Sequence, residues 1–373
     1  MTLTQIISAL KDQKLRKRDL IVPSSQLKME ARALVIDHDY IVIPNEFCHS
    51  QIANRLGIDK RYYDRINTNQ DYKCLCLNFN YWMEQEERNF LLRTFASNNT
   101  GEAGIARAFL SDRYRIIDNY DVAIAALDAI KDSGIKVNVE GGDLTDRRMY
   151  LRFTAPDIEA QAPALLKNYK VPGGGDPKPG DAGIITGFVL GNSETGSGRF
   201  FIAPRIVVLA CMNGMIQKKE AIGEIHLGSK MEEGVVEWSE TSRRKQMELI
   251  CEQTKDAVKT FLSEDYLNGL VRRLTEAGTE KLSKPIDAVK NVAASLNFSD
   301  EKVESLLNYF VDGSDPTAFG LVQAVTYLAQ HDLDADARFD VEASSFELVE
   351  KMSEYDRPFV EKKARKLQNG QQN

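Results

Sequence analysis

Hydrophobic positions recur along this chain with two different periods, and the change of period divides it. Leu3 to Leu10 is apolar at helical spacing and leads into the basic run Lys11, Lys14, Arg16, Lys17 and Arg18, which reads as a solvated face. ALVIDHDYIVIP (33–44) is apolar on both sides of His38-Asp39, the pattern of a β-hairpin. Residues 45–67 read as two short helices. FLLRTF (90–95) and GIARAFLSDRYRIID (104–118) read as strands, the second running into an extended segment. Asp121 to Lys131 has Val122, Ile124, Ala125, Leu127 and Ile130 near helical spacing, with Gly134 placed to end a helix.

A strand-rich block follows: 135–142, 147–154, 183–193 and 198–210. Its long insertion, KNYKVPGGGDPKPGDAG (167–183), holds three consecutive glycines and three prolines and is expected to be a flexible loop. From Ser239 onward the spacing is helical, over 239–261, 266–274, 285–296, 300–310 and 319–330. The expected fold is α+β: a central antiparallel sheet with flanking helices, a helix-turn-helix-like unit at 49–67, and an all-helical C-terminal region. Two domains are expected, a mixed body over 1–235 and a helical region over 236–373 with an acidic end.

Composition supports an ordinary folded protein, 43% hydrophobic and 28% charged over 373 residues. No run of eighteen apolar residues occurs, so no membrane span is expected. The N-terminus puts its charges after its apolar stretch, the reverse of a secretory signal. Five scattered cysteines fit a reducing compartment better than a disulfide framework, and a cytoplasmic location in a bacterial host cell is expected. The net charge of −7 is concentrated at the C-terminal end, where residues 301–373 hold 8 basic against 14 acidic side chains. Residues 1–250 are balanced at 33 of each, so charge permits a polynucleotide partner without arguing for one.

Several catalytic patterns are missing. There is no GxxxxGK[ST], no GxGxxG after a strand, no HExxH and no GxSxG. The four histidines lie far apart, and Cys74-x-Cys76 has no second pair, so a buried strand face is expected there rather than a metal site. Cys211 could act as a nucleophile only with a base such as His226, and its apolar surroundings, RIVVLACMNG, favour packing. Neither cofactor nor metal is expected, and no enzymatic activity.

Two patterns point to binding. In SQIANRLGIDKRYYDRI (50–66), Ala53, Gly57, Ile58, Tyr63 and Ile66 fall where a helix-turn-helix needs a small contact residue, a left-handed turn and an apolar inner face. Asp59 would cap the second helix, leaving Lys60, Arg61, Asp64 and Arg65 outward; a packing unit that never meets DNA uses the same spacing. In the strand block, Arg107, Arg113, Arg115, Arg147, Arg148 and Arg152 are interleaved with Tyr114, Tyr150 and Phe153. A sheet offering guanidinium groups to phosphates and rings to unstacked bases can hold single-stranded nucleic acid. A half-buried sheet with one polar face would look the same.

IANRLGIDKRYYDRI, ARAFLSDRYRIIDNYDV (106–122), GNSETGSGRFFIAPRIVVLACMNG (191–214) and TAFGLVQAVTYLAQ (317–330) together resemble the phage/plasmid-like proteins grouped as domain-of-unknown-function family 932. The resemblance covers about 20 to 335. Positions matching its motifs are Gln51, Arg55, Leu56, Gly57, Arg107, Ser111, Asp112, Arg113, Tyr114, Asp118, Asn192, Ser193, Gly196, Arg205, Cys211 and Asn213. It implies kinship with phage, plasmid or integrated-element proteins and assigns no activity.

The function expected is therefore that of a DNA-binding accessory protein acting in replication or recombination, binding or annealing single strands as a homo-oligomer. Arg107, Arg113, Arg147, Arg148, Arg152 and Arg205 would neutralise phosphates, and Tyr114 and Tyr150 would stack on bases. The alternative is a factor that binds a host or phage protein through the acidic helical end at 301–361.

Overall fold

The computed structural model describes residues 1–69, 72–99, 101–172, 182–224 and 239–360. The chain opens with α1 (Leu3–Arg16), β1 (Lys17–Pro23), β2 (Leu27–Glu30), β3 (Ala33–Ile36) and β4 (Tyr40–Pro44). Three helices follow, α2 (Glu46–Arg55), α3 (Lys60–Thr68) and α4 (Tyr72–Glu84), then β5 (Asn89–Phe95), β6 (Gly104–Ser111) and α5 (Asn119–Ser133). Next come β7 (Asn138–Leu144), β8 (Met149–Gln161), α6 (Pro163–Leu166), β9 (Gly183–Asn192), β10 (Phe200–Val208), β11 (Asn213–Ile216) and β12 (Ile222–Glu224). The remainder is helical: α7 (Glu240–Phe261), α8 (Glu264–Gly278), α9 (Pro285–Ser295), α10 (Asp300–Gly313), α11 (Ala318–Asp332), α12 (Ala335–Glu342), α13 (Ser345–Glu350) and α14 (Met352–Tyr355). The fold is α+β, as the alternation of periods predicts. It contains two sheets rather than one central sheet, ordered β1-β5-β6-β4-β3-β2 and β11-β10-β9-β8-β7, with β12 also paired to β10.

The chain forms two compact units that interleave: 1–153, 189–202 and 222–259 in the first, 154–188, 203–221 and 260–373 in the second. The single division expected near 235 is thus corrected. The apolar faces of the late helices need a partner, and within the second unit they share a core with Leu165, Ile184, Ile206, Val208 and Met215, which come from the strand block. Helix α11 is buried on nearly every side, from Ala318 to Ala329, as expected of a helix apolar all round. Gly320 lies so close to Asp315 that an added Cβ would sit 2.1 Å from its carbonyl oxygen, so only glycine fits there.

In the first unit, the β3–β4 hairpin turns at Asp37 (φ 49°) and His38 (φ 66°), two successive left-handed residues of the kind that match strand twist. The sheet it starts is antiparallel except where β4 runs parallel to β6, Val42 opposite Gly104. Helices α2, α3 and α4 bury Ile52, Ala53, Tyr63, Ile66, Leu75, Phe79 and Met83 in one core with Val42, Leu92 and Phe109 from the sheet. Cys74 and Cys76 lie on helix α4, not on the strand expected, because Leu75, Phe79 and Met83 recur every four residues and make a single inward stripe. At the sheet's edge, the Asn80 side chain donates to Met29 O at 3.1 Å and accepts from Met29 N at 2.8 Å, pairing the outer backbone of β2 as another strand would.

The Gly/Pro stretch at 167–183 falls mainly on 173–181, outside the described residues, as do Lys178, His226 and the last thirteen positions. Among the described residues no helix is long and apolar enough to cross a membrane.

Candidate nucleic-acid interface

The link between β9 and β10, Asn192 to Gly198, is the point where separated segments of the first unit converge. Gln51 of α2 donates to Thr195 O at 2.7 Å and accepts from Phe109 N at 2.9 Å. Tyr114 donates to Ser193 O at 2.8 Å, and Asn192 donates to Ile117 O and to Asn119 Oδ1, both at 2.9 Å. Ser193 Oγ donates to Arg147 O at 2.7 Å, while Arg148 donates to Ser197 O at 2.8 Å. Gly196 takes φ 85°, and a Cβ there would meet Leu110 Cδ2 at 2.7 Å. Asn192 to Thr195 are buried, and a buried segment must place its polar groups against partners, which these side chains supply.

Beside that loop lies an ion-pair network. Arg93, fully buried on β5, donates through Nη2 to Asp118 at 2.7 Å and to Asp19 at 3.0 Å, and through Nη1 to Glu194 O at 2.9 Å. Glu194 also pairs with Arg107 and accepts from Asn119 N at 2.6 Å, and Lys17 reaches Asp118 at 2.6 Å. Three cations thus meet three carboxylates. Burial opposes ionisation of Asp118, but Arg93 and Lys17 hold its carboxyl below the usual range. Burial likewise opposes charge on Arg93, and Glu194, Asp19 and Asp118 outweigh it, so its guanidinium stays protonated. A small open pocket against the network is lined in part by Lys14, Lys17, Arg107, Asp118, Tyr120 and Glu194.

These contacts correct the expectation of an exposed arginine and tyrosine patch. Arg107, Arg152 and Arg205 are buried, at 8%, 4% and 1% exposure, and Tyr150 is fully buried. Arg107 pairs with Glu194, and Arg152 donates to Asp143 at 2.6 Å. Arg148 and Tyr114 are half-buried; Arg148 also donates to Tyr150 Oη at 3.1 Å, and burial pushes the Tyr114 phenol up. In the second unit Asn213 donates to Gln323 O at 3.1 Å. Arg107 shows the physical reason: an inward-facing arginine must meet a carboxylate or carbonyl, and its partner Glu194 lies 87 positions away. Ser111 and Asp112 bond to one another at 3.3 Å, and Ser111 Oγ accepts from Arg113 N at 3.3 Å, a local turn. Arg113 and Arg147 are the exposed survivors of the strand set.

The helix pair keeps more of its expected form. Asn45 caps α2 by accepting from Cys48 N at 2.9 Å. Gly57 takes φ 65°, Ile58 N returns to Ala53 O at 3.0 Å, and Asp59 caps α3 by accepting from Arg61 N at 3.0 Å and Tyr62 N at 3.2 Å. Ala53, Tyr63 and Ile66 face the core, as the spacing predicts. Inside, His49 Nδ1 meets Tyr63 Oη at 2.9 Å; burial first and Lys60 second lower its pKa to about 4. On the outer side Lys60 is engaged by Asp64, but Arg61 and Arg65 are exposed and form no ion pair with another described residue. Arg55 lies exposed at the end of α2, and Arg147 sits 5.3 Å from the Phe47 ring at its start, so cations flank a helix about 15 Å long.

Burial raises the Cys211 thiol to about 11, and its Sγ lies 3.4 Å from Gln323 Oε1, so it is not a thiolate at neutral pH. Two features escape the sequence reading. One is Arg93, signalled only by a charge inside FLLRTF. The other is helix α4, whose outer face carries Leu77, Tyr81 and Trp82 at 70%, 54% and 48% exposure. No family model, no curated protein and no solved structure matches this chain.

Proposed function

We propose that this protein binds nucleic acid, as a DNA-binding accessory protein of phage or plasmid type. One observation carries this: helix α3 stands behind a left-handed glycine turn with Arg61 and Arg65 one turn apart, exposed, and in no ion pair with a described residue. Guanidinium groups so placed are available to phosphates. The buried arginines of the strand block serve the fold and are no part of the proposed surface.

Neutralising phosphates releases counterions, so affinity should fall steeply with salt, by a logarithmic slope of about 0.7 to 0.9 per phosphate contact. Gel-shift titrations across a salt series test this. Replacing Arg61 and Arg65 by alanine should weaken binding and flatten the slope by about 1.5, two contacts' worth. A flat salt response, or a double variant with unchanged affinity and slope, rejects the proposal.

A further inference from the structure

We infer that the outer face of α4, joined by Tyr62 of α3, is a stacking platform for unpaired bases, so that the favoured polynucleotide is single-stranded. This rests on the nucleic-acid reading above and names its substrate class.

Helix α4 buries Leu75, Phe79 and Met83, which sends Lys73, Leu77 and Tyr81 to the opposite side at intervals of four residues. Leu77, Tyr81 and Trp82 are exposed, and Tyr62, 47% exposed, places its hydroxyl 3.4 Å from Cys74 Sγ at the start of the same helix. The Tyr81 and Trp82 rings stand edge to face, with centroids 5.3 Å apart. From Cys74 to Tyr81 is about 10 Å along the helix axis. That is roughly three base steps of about 3.4 Å. Rings left in water on a helix whose other side is well packed are surface that folding had no need to expose.

Charge selects the occupant. Arg61, Arg65 and Lys73 are exposed on the two helices that carry the rings, against one exposed carboxylate, Glu84, at the end of α4. Bases have π-faces to stack and phosphates to neutralise, and a single strand offers both at once. A duplex hides its base faces inside the stack and would use only the cations.

The test uses the full chain carrying Trp238→Phe, which leaves Trp82 as the only tryptophan. Oligo-dT and a duplex of equal length are titrated while Trp82 emission and affinity are followed. Oligo-dT should quench the emission and bind more tightly than the duplex. In gel shifts, Tyr62→Ala, Tyr81→Ala and Trp82→Ala should each lower single-strand affinity by roughly 5- to 100-fold, with thermal midpoints unchanged. The platform is overturned, with the nucleic-acid reading intact, if oligo-dT binds without quenching and without loss in these variants, or if duplex binds better. Binding of neither form overturns both. A dimer in light scattering without DNA, abolished by Trp82→Ala, would make the face a contact between copies and also overturn the platform.

Discussion

Arg93 Nη2 and Asp118 Oδ1 lie 2.7 Å apart, with the guanidinium fully buried and the carboxylate held between it and Lys17. A buried ion pair contributes little net stability over an apolar substitute, but losing one partner strands the other. Arg93→Met leaves Asp19 and Asp118 without their main cation and should destabilise the protein by about 3–5 kcal/mol in urea denaturation. Asp118→Asn should be milder, because Asp19 still faces the guanidinium.

The same pair makes stability acid-sensitive. The folded-state pKa of Asp118 is depressed, so its contribution is present above the ordinary carboxylate pKa and is lost as pH falls through the lower folded value. Asp118→Asn should therefore narrow the gap between neutral and strongly acid stability.

His49 titrates in a separate window. Its folded pKa is about 4 against an ordinary 6.5, so between those values the unfolded chain binds the extra proton and stability falls as pH falls. A shift of that size amounts to roughly 3 kcal/mol when pH has dropped below both values. His49→Gln, which keeps a polar partner for Tyr63, should remove the slope between pH 6.5 and 4 in chemical denaturation; an unchanged slope would assign it to other groups.

What the sequence made legible is what depends on near neighbours. The turn at Asp37 and His38, the cap at Asp59 and the left-handed Gly57 each follow from a few adjacent residues. The exposure of the arginines was not legible, because Arg107 meets Glu194 across 87 positions and Gln51 meets Thr195 across 144. Gln51, Tyr114, Asn192, Ser193 and Gly196 do converge on one loop, although nothing in their spacing announces that they hold it together. Helix α4 was missed because Cys74-x-Cys76 draws the eye to a period of two, while the stripe that decides is Leu75, Phe79 and Met83.

Two glycines separate backbone strain from crowding. Both Gly57 and Gly196 have positive φ, but a Cβ at Gly57 meets nothing within 4 Å, while one at Gly196 lies 2.7 Å from Leu110 Cδ2. Gly57→Ala should lose only the left-handed preference, about 1–2 kcal/mol. Gly196→Ala adds the displacement of Leu110 and disturbs the loop held by Gln51 and Tyr114, so its thermal midpoint should fall further. Equal losses would mean that the loop yields freely.

Asn80 guards the edge of the first sheet. Its amide satisfies both Met29 N–H and Met29 C=O, which would otherwise offer a ladder to another chain. Asn80→Leu keeps the size of the side chain and removes both bonds, at about 1–3 kcal/mol for groups left without a partner. Its second consequence is the more diagnostic. Helix α4 packs along β2, so where loss of both bonds lets it lift, the edge can pair with its equivalent in a neighbouring copy and the variant should show concentration-dependent association in light scattering. Lys28 and Glu30 are exposed on that strand, on the face opposite the buried Leu27 and Met29. Their side chains stand off the sheet plane and do not block the edge, so the amide of Asn80 is the groups' cover. A variant that loses stability yet remains monomeric at high concentration would show that Asn80 acts through its two bonds alone.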